Sequence, residues 1–313
     1  MDDYFKPYEG IELQRRMVSD RIRTDAFAQA IREVVRPDDV VLDVGTGTGI
    51  LAMLAARAGA RQVYGIEQTE MAEVAADLVD ANGLSDKVRI LNGQAEDLQL
   101  QQKADVIISE WLGNAAFVER MLDTVIAARD NNLATSGRML PSNVRLLLAP
   151  LDDPILYNGD GPGFWRNPIN GLDFSSLQPL ELAQGRVVQI RLETASVLAP
   201  SQSLVELDLI IADAEDAWVD GKLEFVAIRD AHLNGFGVWF EAELSENVTL
   251  DTGPYSPETH WMQTYMPFLP RPVQAGERFE VNFALARDPD PAEIRFITLT
   301  LGVGDHQQDY AIE

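Results

Sequence analysis

The chain is 313 residues long, has 50 acidic against 25 basic side chains for a formal net charge of −25, and contains no cysteine. That length suggests about two domains, each able to bury its own core, and the lack of cysteine excludes disulfides, thiolate catalysis and Cys-ligated zinc. The charge repels nucleic-acid phosphate and anionic membrane and draws in cations. No apolar run approaches the roughly 20 residues that span a bilayer. The start, Met1-Asp2-Asp3-Tyr4-Phe5, is acidic with no apolar targeting core, so a cytoplasmic setting is expected.

The acidity is uneven. Residues 1–141 carry 15 basic against 23 acidic side chains, a net of −8, and residues 142–313 carry 10 against 27, a net of −17. An acidic surface that serves solubility accounts for this pattern, and a cationic partner for the second half is the sharper reading.

Residues 1–24 precede any periodic pattern and are dense in aromatic and charged types, with Tyr4, Phe5, Tyr8, Met17, Asp20 and Arg23. A frayed end is one reading and a cap folding over a ligand is the other. From 40 to 141, short apolar runs alternate with amphipathic helical patterns, which predicts βαβ units on a parallel sheet. Strands are expected at 40–44, 62–66, 88–91 and 104–109. Helices are expected at 50–58, closed by Gly59, at 71–81, stopped by Asn82-Gly83, and over about 117–132. Residues 137–141 read as the end of this unit. Beyond 142, runs at 203–211, 221–229, 238–244, 279–284 and 294–301 are parted by Asp, Asn, Gly and Pro rather than by helices. That points to an antiparallel sandwich or barrel. Residues 151–200 interrupt it and read as a protruding arm with some helix of its own.

Three features could carry chemistry. Asp43-Val44-Gly45-Thr46-Gly47-Thr48-Gly49 follows a strand and opens a helix, so backbone can approach a ligand and helix N–H groups can face it. Its spacing is not the G-x-G-x-x-G of dinucleotide enzymes. Glu67 ends the second strand, where a carboxylate accepts ribose hydroxyls, and Glu96 follows the third strand, within reach of an adenine edge. Adenosine binding follows from the three together. The second feature is the loop Ser109-Glu110-Trp111-Leu112-Gly113-Asn114-Ala115-Ala116-Phe117-Val118-Glu119-Arg120-Met121. Paired acids there could serve glycoside hydrolysis, metal binding or a planar cation, and the aromatic neighbours Trp111 and Phe117 favour a guanidinium. No third metal ligand is evident. The third is Thr259-His260-Trp261, with Asp20 as the acid that could hold His260.

These residues resemble the protein arginine methyltransferases. The resemblance runs through Tyr4-Phe5-x-x-Tyr8, Met17-x-x-Asp20-x-x-Arg23-Thr24, residues 41–51, Gly65-Ile66-Glu67, residues 107–121 and Thr259-His260-Trp261-x-Gln263-Thr264. It implies an α/β Rossmann-type methyltransferase domain followed by an antiparallel β-barrel domain with an inserted dimerisation arm. The implied boundaries are a helical cap at 1–24, an S-adenosylmethionine domain at 25–141, and a substrate domain at 142–313 with the arm at about 151–200. By position, Phe5, Arg23, Asp43, Gly45, Gly47, Glu67 and Glu96 would bind the cofactor. Glu110 and Glu119 would clamp the substrate guanidinium, His260 would pair with Asp20, and Tyr8, Met17, Trp111, Met121 and Trp261 would shape the substrate pocket. The partners implied are an arginine-containing basic peptide or protein and a second copy of the chain. A small guanidino or amino acceptor, or a non-catalytic cofactor-binding scaffold, are the other readings.

The chain departs from the well-known eukaryotic members at Asn114 and Val118, where they carry tyrosines, and at Gln14, where a histidine is usual. The changes widen or re-polarise the expected pocket mouth. Met17 favours mono- and asymmetric dimethylation, since symmetric-type members carry phenylalanine there.

Overall fold

The structure is a computed structural model that describes residues 10–118, 121–287 and 297–312. Two amphipathic helices, α1 (Ile11–Ser19) and α2 (Arg21–Val34), open the described chain, broken at Asp20, whose side chain caps α2 by accepting from the Arg23 amide at 3.1 Å.

Apolar strands and helices then alternate: β1 (Val40–Val44), α3 (Ile50–Ala58), β2 (Gln62–Glu67), α4 (Met71–Ala81), β3 (Val88–Asn92), β4 (Ala104–Ile108), α5 (Met121–Asn132) and β5 (Leu133–Leu140). All five strands pair in parallel in the order β3-β2-β1-β4-β5. Every residue of β1 is buried, as expected for a central strand covered on both faces. Strand order reverses between β1 and β4, so their carboxyl ends form the crevice where open α/β sheets bind ligands. Gly59 takes φ 116° and donates its amide to Ala55 and Ala56 carbonyls, closing α3 as the sequence predicts.

Residues 137–141 end the unit, as expected, and 137–140 do so as the close of β5, whose pairing with β4 adds a fifth parallel strand. The helix expected from about 117 is described from Met121, with Phe117 in the buried turn before it.

The rest of the chain is mainly antiparallel. β6 (Asn143–Leu151), β7 (Val188–Ile190), β8 (Gln202–Asp208), β10 (Ala231–Ser245), β11 (Val248–Asp251) and β12 (Gln263–Val273) form one sheet. β9 (Asp220–Val226), β13 (Arg278–Arg287), β14 (Ile297–Val303) and β15 (His306–Ile312) form another. The run expected at 203–211 stops at Asp208, because its carboxylate takes the Ile210 amide and its carbonyl takes those of Ile211 and Ala212. The run at 238–244 is the middle of β10, which extends back through Gly235 and Gly237. A Cβ on Gly235 would lie 2.4 Å from the Tyr265 ring, so these glycines serve close packing rather than a chain break. β12 holds Pro267, Pro270 and Pro272; Pro270 falls in the register shift between Leu233 and Gly235 on β10, while Pro267 and Pro272 pair with Gly235 and His232.

Residues 151–200 carry α6 (Pro154–Gly159), α7 (Gln178–Ala183), short 3-10 turns and β7. Several large apolar side chains lie exposed here, Ile155, Phe164, Leu172 and Leu180 among them. α2 packs its buried face, Phe27, Ala30 and Ile31, beside β10 and β11, tying the two halves. Among the described residues, no helix is long and apolar enough to cross a membrane.

Candidate active site

The loop after β1 is built by backbone that only glycine adopts readily. Gly45 and Gly47 have φ of 68° and 53°, and the Gly45 and Thr46 amides donate to the Ile66 carbonyl at 3.0 Å each. Glu67, at the end of β2, accepts from the Gly47 amide at 3.0 Å through Oε2, and from the Thr69 amide and hydroxyl at 3.0 and 2.9 Å through Oε1. Its carboxylate is thereby fixed against the glycine loop, with lone pairs left for a ligand. Asp43 lies beneath. It is 1% exposed and its Oδ2 accepts from the Thr46 hydroxyl at 2.6 Å and the Ala52 amide at 3.0 Å. Burial pushes its carboxyl up to about 7, against those two hydrogen bonds and with a smaller push from Glu67.

Across the crevice, β4 ends at Ile108, and the Ser109 hydroxyl donates to the Val44 carbonyl at 2.7 Å, joining the two strand ends. Glu110 then turns inward. Its Oε1 accepts from the Leu112 amide at 3.2 Å, and its Oε2 lies 3.2 Å from Arg23 Nε, both side chains being 8% exposed. Arg23 Nη1 is buried and has no hydrogen-bond partner among the described residues. Gly113 and Ala116 close the loop with mutual backbone bonds. Val118 is buried against Gly113, where an added Cβ would stand 1.8 Å from Val118 Cγ2. Val118 therefore seals the loop on itself.

The loop of the second half reaches the same place. Trp261 donates its indole N–H to the Leu112 carbonyl at 2.7 Å, and its ring stacks beside His260 at 4.0 Å. His260 Nδ1 lies 2.7 Å and its amide 2.8 Å from the same Asp20 oxygen. Burial would raise Asp20, but hydrogen bonds from the His260 ring and amide and from the Arg23 amide hold it at about 2.

One cavity of about 750 Å³ unites these groups. Arg23, Gly45, Gly47, Glu67, Glu96, Glu110, Trp111, Met17, Met121, His260 and Trp261 all line it. Asp43 does not; it holds the glycine loop from below, as its complete burial dictates. Glu96 is held by the Thr124 hydroxyl on α5. Asp20 touches the site through His260. Phe5, Tyr8 and Glu119 lie outside the described residues. The sequence did not single out Arg16, Thr69, Gln189, Asp123, Thr124 or Arg287 as lining residues. They come from a helix face, a turn, a three-residue strand, a first helical turn and a strand end, and no local spacing brings them together. No group of acids and histidines able to hold a metal occurs among the described residues.

Residues 151–303 match the family model for the arginine methyltransferase oligomerization subdomain, and residues 23–142 match the model for ribosomal protein L11 methyltransferase. Protein arginine N-methyltransferase 1 of Schizosaccharomyces pombe is 36% identical over 269 residues, covering 84% of this chain and 78% of that protein. The chain belongs to the protein arginine N-methyltransferase family. Protein arginine N-methyltransferase 6 of Xenopus laevis is 32% identical, with 96% of this chain and 90% of that one covered. Among solved structures, the Trypanosoma brucei PRMT1 enzyme–prozyme heterotetrameric complex with AdoHcy superposes with a TM-score of 0.88 at 31% identity, covering 98% and 99% of the two chains. Arabidopsis thaliana protein arginine methyltransferase 10 superposes at 0.86 and 30% identity, over 99% and 100%. A parallel Rossmann-like core followed by antiparallel sheets fits the methyltransferase-plus-barrel architecture of this family.

Within this methyltransferase, Asp43 should make stability pH-dependent. A carboxyl whose folded pKa stands near 7 rather than at 3.8 contributes stability below about pH 4 and loses it as pH rises through 7. Urea unfolding of wild type against Asp43→Asn isolates this term. The wild type should lose stability relative to the variant by up to about 1.4 kcal/mol per pH unit between pH 4 and 7; a pH-independent difference would contradict the assignment.

Proposed function

We propose that this arginine methyltransferase binds S-adenosylmethionine along Gly45, Gly47, Glu67 and Glu96 and clamps a protein arginine side chain with Glu110 and Glu119. S-adenosylmethionine, when bound, supplies the electrophilic sulfonium methyl. The fit is supported by chemistry already in the cavity. Glu67 keeps acceptor capacity for ribose hydroxyls, and Arg23 Nη1 is a buried donor awaiting an anion such as the methionine carboxylate.

The carrying observation is Glu110, a carboxylate 8% exposed on the wall of a cavity that also holds the adenosine-type acids. A guanidinium is a poor nucleophile, because its lone pairs are delocalised and its pKa exceeds about 12. A carboxylate pair concentrates the positive charge on one side and leaves electron density on the nitrogen aimed at the methyl. Holding that nitrogen in line supplies much of the remaining acceleration. The proton leaving the nitrogen passes to Glu119 or to the His260–Asp20 pair. His260 also ties the loop of the second half to the cap. Met17 and Met121 bound the space beside the guanidinium. The surplus of acids in residues 142–313 suits a basic peptide lying outside the cavity.

The expected result for radiolabelled methyl transfer to an arginine-rich peptide is at least a roughly 100-fold loss in Glu110→Gln and in Glu119→Gln. Binding of S-adenosylhomocysteine should survive in both. Robust transfer by either variant would remove that residue from the clamp.

We also read the segment at about 151–200 as the arm of a homodimer, on its exposed Ile155, Leu172 and Leu180 and on the oligomerization model that matches from residue 151. Light scattering at micromolar concentration should give twice the chain mass, and a monomer mass would count against the arm.

A further inference from the structure

The strand end that carries Arg287 is bound to the helix that follows the Glu110 loop. Arg287 Nη1 and Nη2 reach Asp123 Oδ2 and Oδ1 at 2.9 Å each, a two-pronged contact between β13 and the first turn of α5. Arg287 Nη2 also lies 3.0 Å from Glu215 Oε1, and the guanidinium stands 5.1 Å from the centre of the Trp218 ring. The hydrogen bonds to Asp123 outweigh burial and raise the Arg287 pKa further. Forked geometry of this kind fixes direction as well as distance, which a single charge contact does not.

What Arg287 holds matters because of its neighbours. Asp123 lies between Met121 and Thr124 on the same helical turn. Met121 faces the glycine loop, its Cε 3.5 Å from where a Cβ on Gly45 would stand, and the Thr124 hydroxyl holds Glu96. Asp123, Thr124, Met121 and Arg287 line the same cavity as Glu110. The far end of α5 is tied to the same stretch of chain: Arg129 Nη1 donates to the Leu209 and Ala212 carbonyls at 2.9 and 2.7 Å. The connection between β8 and β9, with Glu215 and Trp218, thus braces both ends of the helix.

We propose that Arg287 is a positioning residue for methyl transfer, setting through Asp123 the placement of the first turn of α5 and of the Glu110 loop that leads into it. It touches neither the methyl nor the target nitrogen. Its effect is on alignment, so it acts on turnover rather than on affinity. This rests on the reading of the cavity as the methyl-transfer site.

The test compares wild type with Arg287→Ala, Arg287→Lys, Asp123→Asn and the Arg287→Ala/Asp123→Asn double variant, well below their melting temperatures. The kcat on an arginine peptide should fall about 10- to 100-fold in each Ala or Asn single variant, as expected for a misaligned reacting pair. Peptide KM and S-adenosylhomocysteine affinity should change by less than about threefold, and the double variant should be no worse than the poorer single within about twofold. Lysine, which keeps the charge but not the fork, should recover only part of the loss. Amide exchange over 109–125 should quicken in Arg287→Ala while that of β1 and β10 is unaltered. Unchanged kcat, losses that multiply in the double variant, or unaltered exchange over 109–125 would overturn the proposal. A wild type that does not methylate arginine peptides would refute the reading of the cavity, and the exchange measurement would still decide the clamp.

Discussion

A carboxylate taken out of water needs a positive partner, and Arg23 is that partner for Glu110. The pair joins α2 to the loop after β4 at 3.2 Å, with both side chains nearly removed from solvent. Burying such a pair costs several kcal/mol of desolvation per ion, recovered only when geometry is good and remaining hydrogen-bond capacity is met. Glu110 meets that condition through the Leu112 amide, but Arg23 does not, since Nη1 has no partner among the described residues. The pair therefore leaves one buried donor, Arg23 Nη1, that an anion in the cavity would satisfy. Under the proposed function, the methionine carboxylate of S-adenosylmethionine would be that anion.

Arg23 is in place because of Asp20. One carboxylate caps α2 through the Arg23 amide and, through its other oxygen, takes both the ring and the backbone N–H of His260. Arg16 reinforces this by donating to the His260 carbonyl at 2.7 Å. Trp261 then carries the connection to Leu112, inside the Glu110 loop. Cap, parallel sheet and antiparallel half thus meet in a circuit of charge-assisted and backbone hydrogen bonds around the cavity.

The parallel half was legible in the sequence because each of its elements is local. Hydrophobic period and the punctuation at Gly59 and Asn82-Gly83 define β1 to α4 without reference to the rest of the chain. Glu67 and Glu110 were legible for the same reason, as acids at strand ends on a sheet whose switch point fixes where ligands bind. The antiparallel half was less so. β12 carries prolines that count against a strand, and β10 carries glycines that count as breaks, and only cross-strand packing against Tyr265 and the register shift at Leu233 explain both. Asp43 was assigned to the cofactor by the family resemblance, and its side chain points beneath the glycines to Thr46 and Ala52. Arg287 and Asp123 lie 164 positions apart, and charge complementarity at that separation leaves no periodic trace. Asp20 was read from the residues only as an acid that could hold His260; the two lie 240 positions apart, and the family resemblance, not spacing, implied their pairing.

The central claim is that this cleft delivers a methyl group to a guanidinium nitrogen of arginine in a protein. Fragment-ion mass spectrometry of a peptide incubated with the enzyme and isotopically labelled S-adenosylmethionine tests it most directly, with fragments that separate the methylarginine types. The label should sit on the arginine side chain, as monomethyl or asymmetric dimethyl product, since Met17 lines the same cavity as Glu110. Label on lysine, on the peptide amine or on no residue at all would contradict the account.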